Sequence, residues 1–301
     1  MLQKRGSPFL NHWVLIGRPY FRKNMEPLAP ITCKKFTLRF EKTLIMGILN
    51  VTPDSFSDGG RFNTLEAAVA HAKQLVTDGA DIIDIGGEST RPGSEPLSEK
   101  EELSRVLPLI TCLENELNVP LSVDTYKPGV AEACLQAGAH LINDITGLTN
   151  PRMQQVVATH DVPVVMMHML GTPKMMQQNP VYQDVIGEIH TFFQHQIKTA
   201  KKAGITQLII DPGIGFGKTL HHNLHLLKQL EGFTDLGCPL MIGPSRKSFI
   251  GTITGLPVND RLEGTLAAVT IAVQNGANII RVHDVKQCKR ALQVIDAIRS
   301  V

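Results

Sequence analysis

The chain has 301 residues, of which 43% are hydrophobic and 19% charged, a composition typical of a globular protein with a sizeable core. Its formal net charge is +2 and 5% of its residues are aromatic, so neither a strongly basic surface nor interleaved basic and aromatic residues indicate nucleic-acid binding. No apolar stretch approaches the ~20 residues needed to span a bilayer, so we expect no membrane partner.

The N-terminal segment differs from the rest of the chain. Its first 25 residues include Lys4, Arg5, Arg18, Arg22 and Lys23 and contain no acidic residue, a bias typical of a transit peptide. Prolines and scattered aromatic residues interrupt any amphipathic helix there. We therefore predict that residues 1–40 form a poorly constrained arm and that residues 41–301 form a single functional domain.

Eight short apolar runs follow the arm, and nearly every one ends in a polar residue or a glycine turn. Short continuous runs of this kind are typical of parallel strands that are buried on both faces. The predicted strands cover residues 44–49, 82–85, 121–123, 141–142, 162–167, 208–210, 239–242 and 279–280.

Helical patterns separate these runs. Leu65, Ala68, Ala72 and Leu75 share one helical face, and Gly79 ends the pattern just before the second strand. Regular alternation of strands and helices predicts a single (β/α)8 TIM barrel of the α/β class, with the active site at the C-terminal ends of the strands. A doubly wound open sheet is the alternative.

Five cysteines lie far apart along the chain, at positions 33, 112, 134, 238 and 288. Their odd number and the lack of a CxxC pair argue against a disulfide framework and against a structural zinc site. We therefore predict reduced thiols and a cytoplasmic location.

Two stretches resemble the signature sequences of the dihydropteroate synthases, a family of pterin-binding enzymes: residues 47–60, which run from Gly47 through Asn50 and Asp54 to Gly60, and residues 86–93, GGESTRPG. Further segments match in the family's order between residues 44 and 285, around Asp124, Asn143, Met167–His168, Asp211–Lys218, Ser245–Lys247 and Arg281–His283. The resemblance implies a homodimeric transferase that joins 4-aminobenzoate to (7,8-dihydropterin-6-yl)methyl diphosphate and releases diphosphate. Its partners would be these small molecules and sulfonamide inhibitors.

The resemblance also assigns a pterin site. It places Asp124, Asn143, Asp211 and Lys247 around the pterin, in a pocket lined by Met167, Phe216 and Gly243. These residue types suit the ligand, because Asp211 can accept from the donor edge of a pterin while Asn143 can both donate and accept. The alternative for Asp211 is a helix N-cap, since a proline and glycines follow it.

The diphosphate would be bound by Arg281 and His283 and by the N-terminus of the helix that begins near Asp284. In the family Asn50 completes this subsite, and Mg²⁺ binds the diphosphate with few protein ligands. The alternative for Arg281 is a salt bridge on the barrel rim.

For catalysis, the resemblance implies a dissociative reaction through a cationic pterin, with Asp124, Lys247 and Asp58 as catalytic residues. The loops after the first two strands would close over the cation and form the aminobenzoate pocket with Phe56, Thr90, Arg91 and Pro92, and Ser245 would hold the aminobenzoate carboxylate.

Other functions remain as alternatives. A pterin-dependent methyltransferase would leave Arg281 and the Asn50 loop unexplained, whereas a pterin-binding barrel without activity would keep every motif. Residues 213–219 resemble a phosphate loop but lack the Walker spacing, so Lys218 is a secondary candidate. We interpret His221, His222 and His225 as a solvated helix face and His168 as a residue without a catalytic role. Glu88 is left open between a structural partner and a site residue.

Overall fold

The computed structural model describes residues 28–51, 61–89 and 93–301. Its strands are β1 Ile31–Cys33, β2 Phe36–Leu38, β3 Leu44–Asn50, β4 Ile82–Gly86, β5 Leu121–Asp124, β6 Leu141–Asp144, β7 Val164–Met167, β8 Leu208–Asp211, β9 Met241–Ile242 and β10 Ile279–Val282. Its α-helices are α1 Arg61–Thr77, α2 Glu99–Leu113, α3 Pro128–Gln136, α4 Pro151–His160, α5 Val185–Lys202, α6 Leu220–Lys228, α7 Ser248–Thr254, α8 Leu262–Gln274 and α9 Val285–Arg299. The described residues also contain 3-10 helices at Leu230–Leu236 and Val258–Asp260.

Strands β3 to β10 form one parallel barrel. Their order is β8-β7-β6-β5-β4-β3-β10-β9, and a parallel bridge between Ile210 and Leu240 joins the two ends of the sheet. The predicted (β/α)8 barrel is therefore confirmed, and the open-sheet alternative is wrong. Several strands extend past the predicted apolar runs and include the polar residue that follows them, such as Asp124 and Asp211.

The barrel is apolar on both sides of its wall. Side chains that point outward, such as Ile45 and Ile83, pack against the helices in the larger hydrophobic cluster. Their neighbours in sequence, such as Leu44 and Ile82, point inward and fill the lower part of the barrel in a second cluster. Because side chains alternate along a strand, the next inward positions toward the C-terminal ends include polar residues of the candidate site, such as Asp84, Asn143 and Asp211.

A short antiparallel hairpin, β1 and β2, covers the N-terminal end of the barrel. Ile31, Cys33 and Leu38 are almost fully buried and belong to the same cluster as the inward-pointing strand residues. The prediction of a poorly constrained arm is therefore wrong for residues 31–38, while residues 1–27 lie outside the described residues. The arm pattern was misleading because three-residue strands leave too little apolar alternation to recognise.

Helix boundaries follow local sequence signals. Ser98 and Glu101 form a reciprocal capping box at the start of α2. Gly138 follows α3 with a φ of +116°, and a Cβ at that position would lie 2.3 Å from Glu114 Cγ, so both backbone conformation and space require glycine. Within the described ranges, no helix combines the length and apolar character needed to cross a membrane.

Candidate active site

The C-terminal ends of the strands surround a small cavity. It is lined by Asp124, Asn143, Met167, Asp211, Phe216, Gly243, Lys247 and Arg281, together with Ile145, Gly213 and Ile214. All eight residues of the first group were predicted from the sequence, and they come from six different strands or the loops that follow them. The predicted convergence at one mouth is confirmed, and Asp211 and Arg281 open onto the same cavity.

Asp211 provides the acidic side of the cavity. Its Oδ1 accepts a hydrogen bond of 2.7 Å from the backbone N–H of Gly213, and burial raises the pKa of its carboxyl to about 6. The N-cap alternative is wrong, because α6 begins at Leu220 and is capped by Thr219, whose hydroxyl accepts from the backbone N–H of His222 at 3.2 Å. Asp211 instead holds the turn after β8.

Arg281 lies between two carboxylates inside the barrel. Its Nε donates to Asp84 Oδ2 and its Nη2 to Asp124 Oδ2, each at 2.6 Å. Asn143 Nδ2 donates to the same Asp84 oxygen at 3.0 Å. Arg281 thus forms salt bridges, as the alternative predicted, but they lie within the site and not on the barrel rim.

The charges in this network shift the ionisation of its members. Burial raises the pKa of Asp124 to about 7, although Arg281 acts in the opposite direction. Burial alone would lower the pKa of Arg281, but Asp84 and Asp124 outweigh it, so the pKa of the guanidinium lies above its ordinary value. Arg281 therefore remains charged at every physiological pH.

Asp84 is a site residue that the sequence analysis missed. It is fully buried, and its only signal was a charged side chain in the middle of the apolar run 82–85. Within the described part of the chain, Asp84 Oδ1, Asp124 Oδ1 and Ser122 Oγ are buried and have no hydrogen-bond partner. These atoms lie on adjacent strands, β4 and β5, so this wall of the barrel has unused hydrogen-bonding capacity.

Lys247 and Phe216 form the opposite side of the cavity. Lys247 Nζ lies 4.0 Å from the centroid of the Phe216 ring, within the range of a cation–π contact. Desolvation, followed by the nearby charge of Arg281, lowers the pKa of Lys247 to about 8. The pair presents an apolar ring and a cation next to the acidic residues.

Ser245 and His283 are hydrogen-bonded to each other beside the network of Arg281. Ser245 Oγ accepts from the backbone N–H of His283 at 3.2 Å and lies 3.0 Å from its Nδ1. Burial and the charge of Arg281 lower the pKa of His283 to about 3, so the imidazole is neutral and its Nδ1 accepts the hydroxyl proton. The remaining nitrogen, Nε2, is then an N–H donor. Helix α9 begins at Val285, as predicted.

Asn50 ends β3 next to Asp124. A Cβ placed on Gly86, which pairs with Asn50, would lie 3.6 Å from Asn50 Oδ1 and 3.7 Å from Asp124 Oδ2. The amide oxygen and the carboxylate therefore face the same narrow space above a glycine.

Glu88 belongs to a buried ionic cluster behind the site. Its Oε1 accepts from the Tyr126 hydroxyl at 2.8 Å, and its Oε2 accepts from the backbone N–H of Leu97 at 2.9 Å and from Lys127 Nζ. Lys127 Nζ also bonds Glu102 Oε2 at 2.5 Å. Glu88 is therefore a structural partner that joins the end of β4 to the residues before α2.

Some predicted residues are not placed. Phe56, Asp58, Thr90, Arg91 and Pro92 lie outside the described residues, so their assigned roles stay predictions. The histidines at 221, 222 and 225 lie on α6, where His222 Nδ1 accepts from the backbone N–H of Thr219 and contributes to the helix cap.

Comparison with known proteins identifies relatives of this chain by sequence and by structure. Residues 46–283 match the pterin binding enzyme family. The dihydropteroate synthase of Bacillus subtilis (strain 168) is 50% identical over 261 residues, which cover 86% of this chain and 89% of that protein. The structure of Yersinia pestis dihydropteroate synthase with a sulfonamide drug complex has a TM-score of 0.86 at 47% identity and covers 91% of this chain and 100% of that one. Xanthomonas albilineans dihydropteroate synthase in complex with 7,8-dihydropteroate has a TM-score of 0.83 at 44% identity, with the same two coverages.

Proposed function

Because the chain belongs to the dihydropteroate synthase family of pterin-binding enzymes, we propose that it condenses (7,8-dihydropterin-6-yl)methyl diphosphate with 4-aminobenzoate to form 7,8-dihydropteroate and diphosphate in folate biosynthesis. The observation that carries the proposal is the meeting of Asp211 and Asn143 with Arg281 and Lys247 at one cavity. Acceptors for a pterin edge, a lysine beside the Phe216 ring and a guanidinium for a diphosphate thus lie within one small space.

Pterin recognition is supported by the acidic side. Asp211 Oδ1 is held by Gly213, so its other oxygen can accept from the amide and amino groups of the pterin. Asn143 donates to Asp84 through Nδ2, which fixes the orientation of its amide and leaves its oxygen as an acceptor. A ligand with a different donor pattern would leave these buried groups unpaired, which is a strong basis for selectivity.

Diphosphate binding is supported by Arg281 and His283. A guanidinium has five N–H donors, so the two bonds to Asp84 and Asp124 leave others for phosphate oxygens. The Nε2–H of neutral His283 adds a donor, and the N-terminus of α9 begins two residues later.

We propose Mg²⁺ as the cofactor, with Asn50 as its protein ligand. The donor chemistry fits, because Asn50 Oδ1 is an oxygen next to Asp124, whose buried Oδ1 has no hydrogen-bond partner among the described residues. When bound, the ion would neutralise charge on the leaving diphosphate.

The proposed chemistry is dissociative. The C–O bond to diphosphate breaks first, the methylene cation is conjugated with the pterin ring, and the amine of aminobenzoate then forms the C–N bond and loses a proton. The ionised carboxylate of Asp124 would stabilise the cation, an effect of about 3 kcal/mol for comparable single groups. Lys247 would hold the pterin in place against Phe216.

Aminobenzoate would bind where Ser245 meets the two loops that carry Phe56, Asp58, Thr90, Arg91 and Pro92. Sulfonamides, which imitate aminobenzoate, would compete for the same place. Variants at Phe56, Thr90 or Pro92 should therefore change sulfonamide affinity more than pterin affinity in competition binding measurements.

We also propose a homodimer in the cytoplasm. A groove of about 900 Å³ between α6, α7, α8 and α9 is lined by apolar side chains, of which Ile253 and Ile271 are about half exposed. Among the described residues the groove is lined by helices and not by barrel strands, so it is unsuited to the chemistry above and better suited to a protein partner. The cytoplasmic location is supported by five free cysteines.

One assay tests the reaction. The purified protein is incubated with the pterin diphosphate and Mg²⁺, with and without 4-aminobenzoate, and released diphosphate is measured. The proposal expects release that depends on aminobenzoate. Tight pterin binding without release would instead indicate an inactive barrel, and methyl transfer from a methylated pterin would indicate a methyltransferase.

A further inference from the structure

Lys218 is a buried lysine that the proposed reaction leaves without a role. It lies on the loop between β8 and α6 and is 2% exposed. Its ammonium group bonds three protein acceptors: Phe216 O at 2.9 Å, His168 Nδ1 at 3.1 Å and His168 O at 3.2 Å. Buried lysines usually bond a carboxylate, whereas all three acceptors here are neutral.

The acceptors belong to two loops that lie against each other. His168 directly follows β7, and its carbonyl oxygen lies 2.0 Å from the position that a Cβ on Gly213 would take. Further along, the side chains of Gln177 and Tyr182 donate to the carbonyl oxygens of Gly215 and Gly217 at 2.7 and 3.1 Å. The ammonium group of Lys218 therefore lies between the loop that follows β7 and the loop that follows β8.

The groups bonded to Lys218 belong to Phe216, which lines the pterin cavity, and to His168, which follows a lining residue and whose carbonyl oxygen lies against Gly213. His168 follows Met167, Phe216 itself lines the cavity, and Gly213 holds the carboxylate of Asp211. The imidazole of His168 is neutral, because burial and the charge of Lys218 lower its pKa to about 3, so its Nδ1 acts as an acceptor. A shift of either loop would change the spacing between these three cavity residues.

We propose that Lys218 is a positioning residue that ties the ends of β7 and β8 together and thereby sets the spacing of Met167, Asp211 and Phe216 for a pterin. This inference rests on the proposed function for the identity of the ligand. The proposal gives Lys218 no contact with the substrate. It also places Lys218 apart from the diphosphate side of the site, which lies at the end of β10, the N-terminus of α9 and the end of β3.

The test compares two ligands on the Lys218→Met variant. Methionine keeps most of the length and apolar character of the side chain but removes all three donors. We expect the Kd for 6-hydroxymethyl-7,8-dihydropterin to rise by about tenfold or more, since small displacements of positioning groups have effects of this size. The Kd for inorganic diphosphate should stay within about twofold of the unchanged chain. Lys202→Met, an exposed site on α5, is the matched control and should leave both values unchanged.

Isothermal titration calorimetry, carried out below the unfolding temperature of each variant, measures the Kd for the pterin and the Kd for diphosphate. An unchanged pterin Kd would overturn the proposal, and so would a parallel loss of pterin and diphosphate binding, which is the result expected of a purely structural lysine. If Lys218→Met does not fold, His168→Asn and His168→Leu provide the comparison. Asparagine offers an acceptor near the position of Nδ1 and should retain more pterin affinity than leucine; equal losses would contradict the proposal.

The outcomes separate this inference from the proposed function. The binding measurement needs neither aminobenzoate nor turnover, so an unchanged chain that binds pterin but releases no diphosphate contradicts only the proposed reaction. Normal turnover combined with unchanged pterin affinity in Lys218→Met contradicts only the positioning role.

Discussion

Arg281 combines a structural contact with a proposed ligand contact in one side chain. It is the cation that offsets both Asp84 and Asp124, and the two distances of 2.6 Å leave little freedom for its guanidinium. A residue fixed in this way is already oriented when a phosphate arrives, so binding requires little further ordering.

Replacing Arg281 with methionine should therefore have two effects. Leaving two buried carboxylates without their partner should lower the free energy of unfolding by about 3–5 kcal/mol, measured by urea denaturation. Diphosphate affinity should fall much further than the affinity for a free pterin. An equal loss for both ligands would contradict the assigned role of Arg281.

The raised pKa of Asp211 predicts that pterin binding depends on pH. Burial raises its pKa to about 6, so below that pH the carboxyl gains a proton and loses acceptor capacity, whereas above it both oxygens can accept. Pterin affinity should thus fall by up to about tenfold per pH unit below 6. The Asp211→Asn variant should bind pterin more weakly at neutral pH. Its pterin affinity should also no longer fall with decreasing pH near 6, as measured by calorimetry between pH 5 and 8.

Asp124 is the necessary control for that experiment, because its pKa is raised to about 7 and its titration overlaps. In the Asp124→Asn variant, pterin affinity should still fall as the pH decreases through about 6. A profile that is identical in Asp211→Asn and the unchanged chain would refute the role of Asp211 in binding the donor edge.

At the scale of single residues, the sequence predicted those site members that end an apolar run. Asn143 and Asp211 stand where hydrophobicity stops, which is a local signal. Asp84 lies inside an apolar run and Lys218 in a glycine-rich loop, so neither ends a run. Their roles depend on partners about 50 residues away or more, which are Asn143 and Arg281 for Asp84 and His168 for Lys218. Contacts between distant segments are set by barrel closure and are invisible in a local pattern.

At the scale of elements, the cluster of Glu88, Lys127 and Glu102 connects the end of β4, the start of α3 and the helix α2. Glu88 also accepts from Leu97, so its carboxylate spans both ends of the loop that carries the second signature stretch. The cluster anchors the described ends of that loop to the barrel through buried charges.

Lys127→Met should remove the only cation that we find bonded to Glu88 and Glu102 in the described part of the chain, and should destabilise the fold by about 3–5 kcal/mol. Lys73→Met, which breaks the exposed pair with Glu116, is the control and should cost less than about 1 kcal/mol. Urea denaturation of both variants provides the comparison; similar small losses would show that the buried cluster contributes little.

The pattern of apolar residues predicted the alternation of barrel strands and helices, but it did not predict the hairpin strands β1 and β2. Each barrel strand is buried on both faces and so leaves a continuous apolar run. The hairpin strands have three residues each. Thr32 is exposed between two buried residues, and Thr37 is exposed between half-buried Phe36 and buried Leu38. The role of these strands is evident only once the lower end of the barrel has formed and can be covered.

At the scale of the whole molecule, the apolar groove predicts how copies of the chain associate. Ile271 is 45% exposed on α8 and lines the groove, so Ile271→Glu should place a charge in the proposed homodimer interface and yield a monomer. Val294→Glu is the control, because Val294 is 60% exposed on α9 but does not line the groove. Sedimentation velocity distinguishes the species, and a monomeric unchanged chain would refute the dimer.

The hairpin β1–β2 also constrains the order of events during turnover. In the described part of the chain the lower end of the barrel is closed and its interior is filled by side chains, so we expect reactants and products to share the entrance at the C-terminal ends of the strands. The molecule that occupies the innermost position must arrive before its co-substrate, and a co-substrate that comes too early blocks the passage. Excess aminobenzoate should consequently slow the enzyme when the pterin diphosphate is scarce.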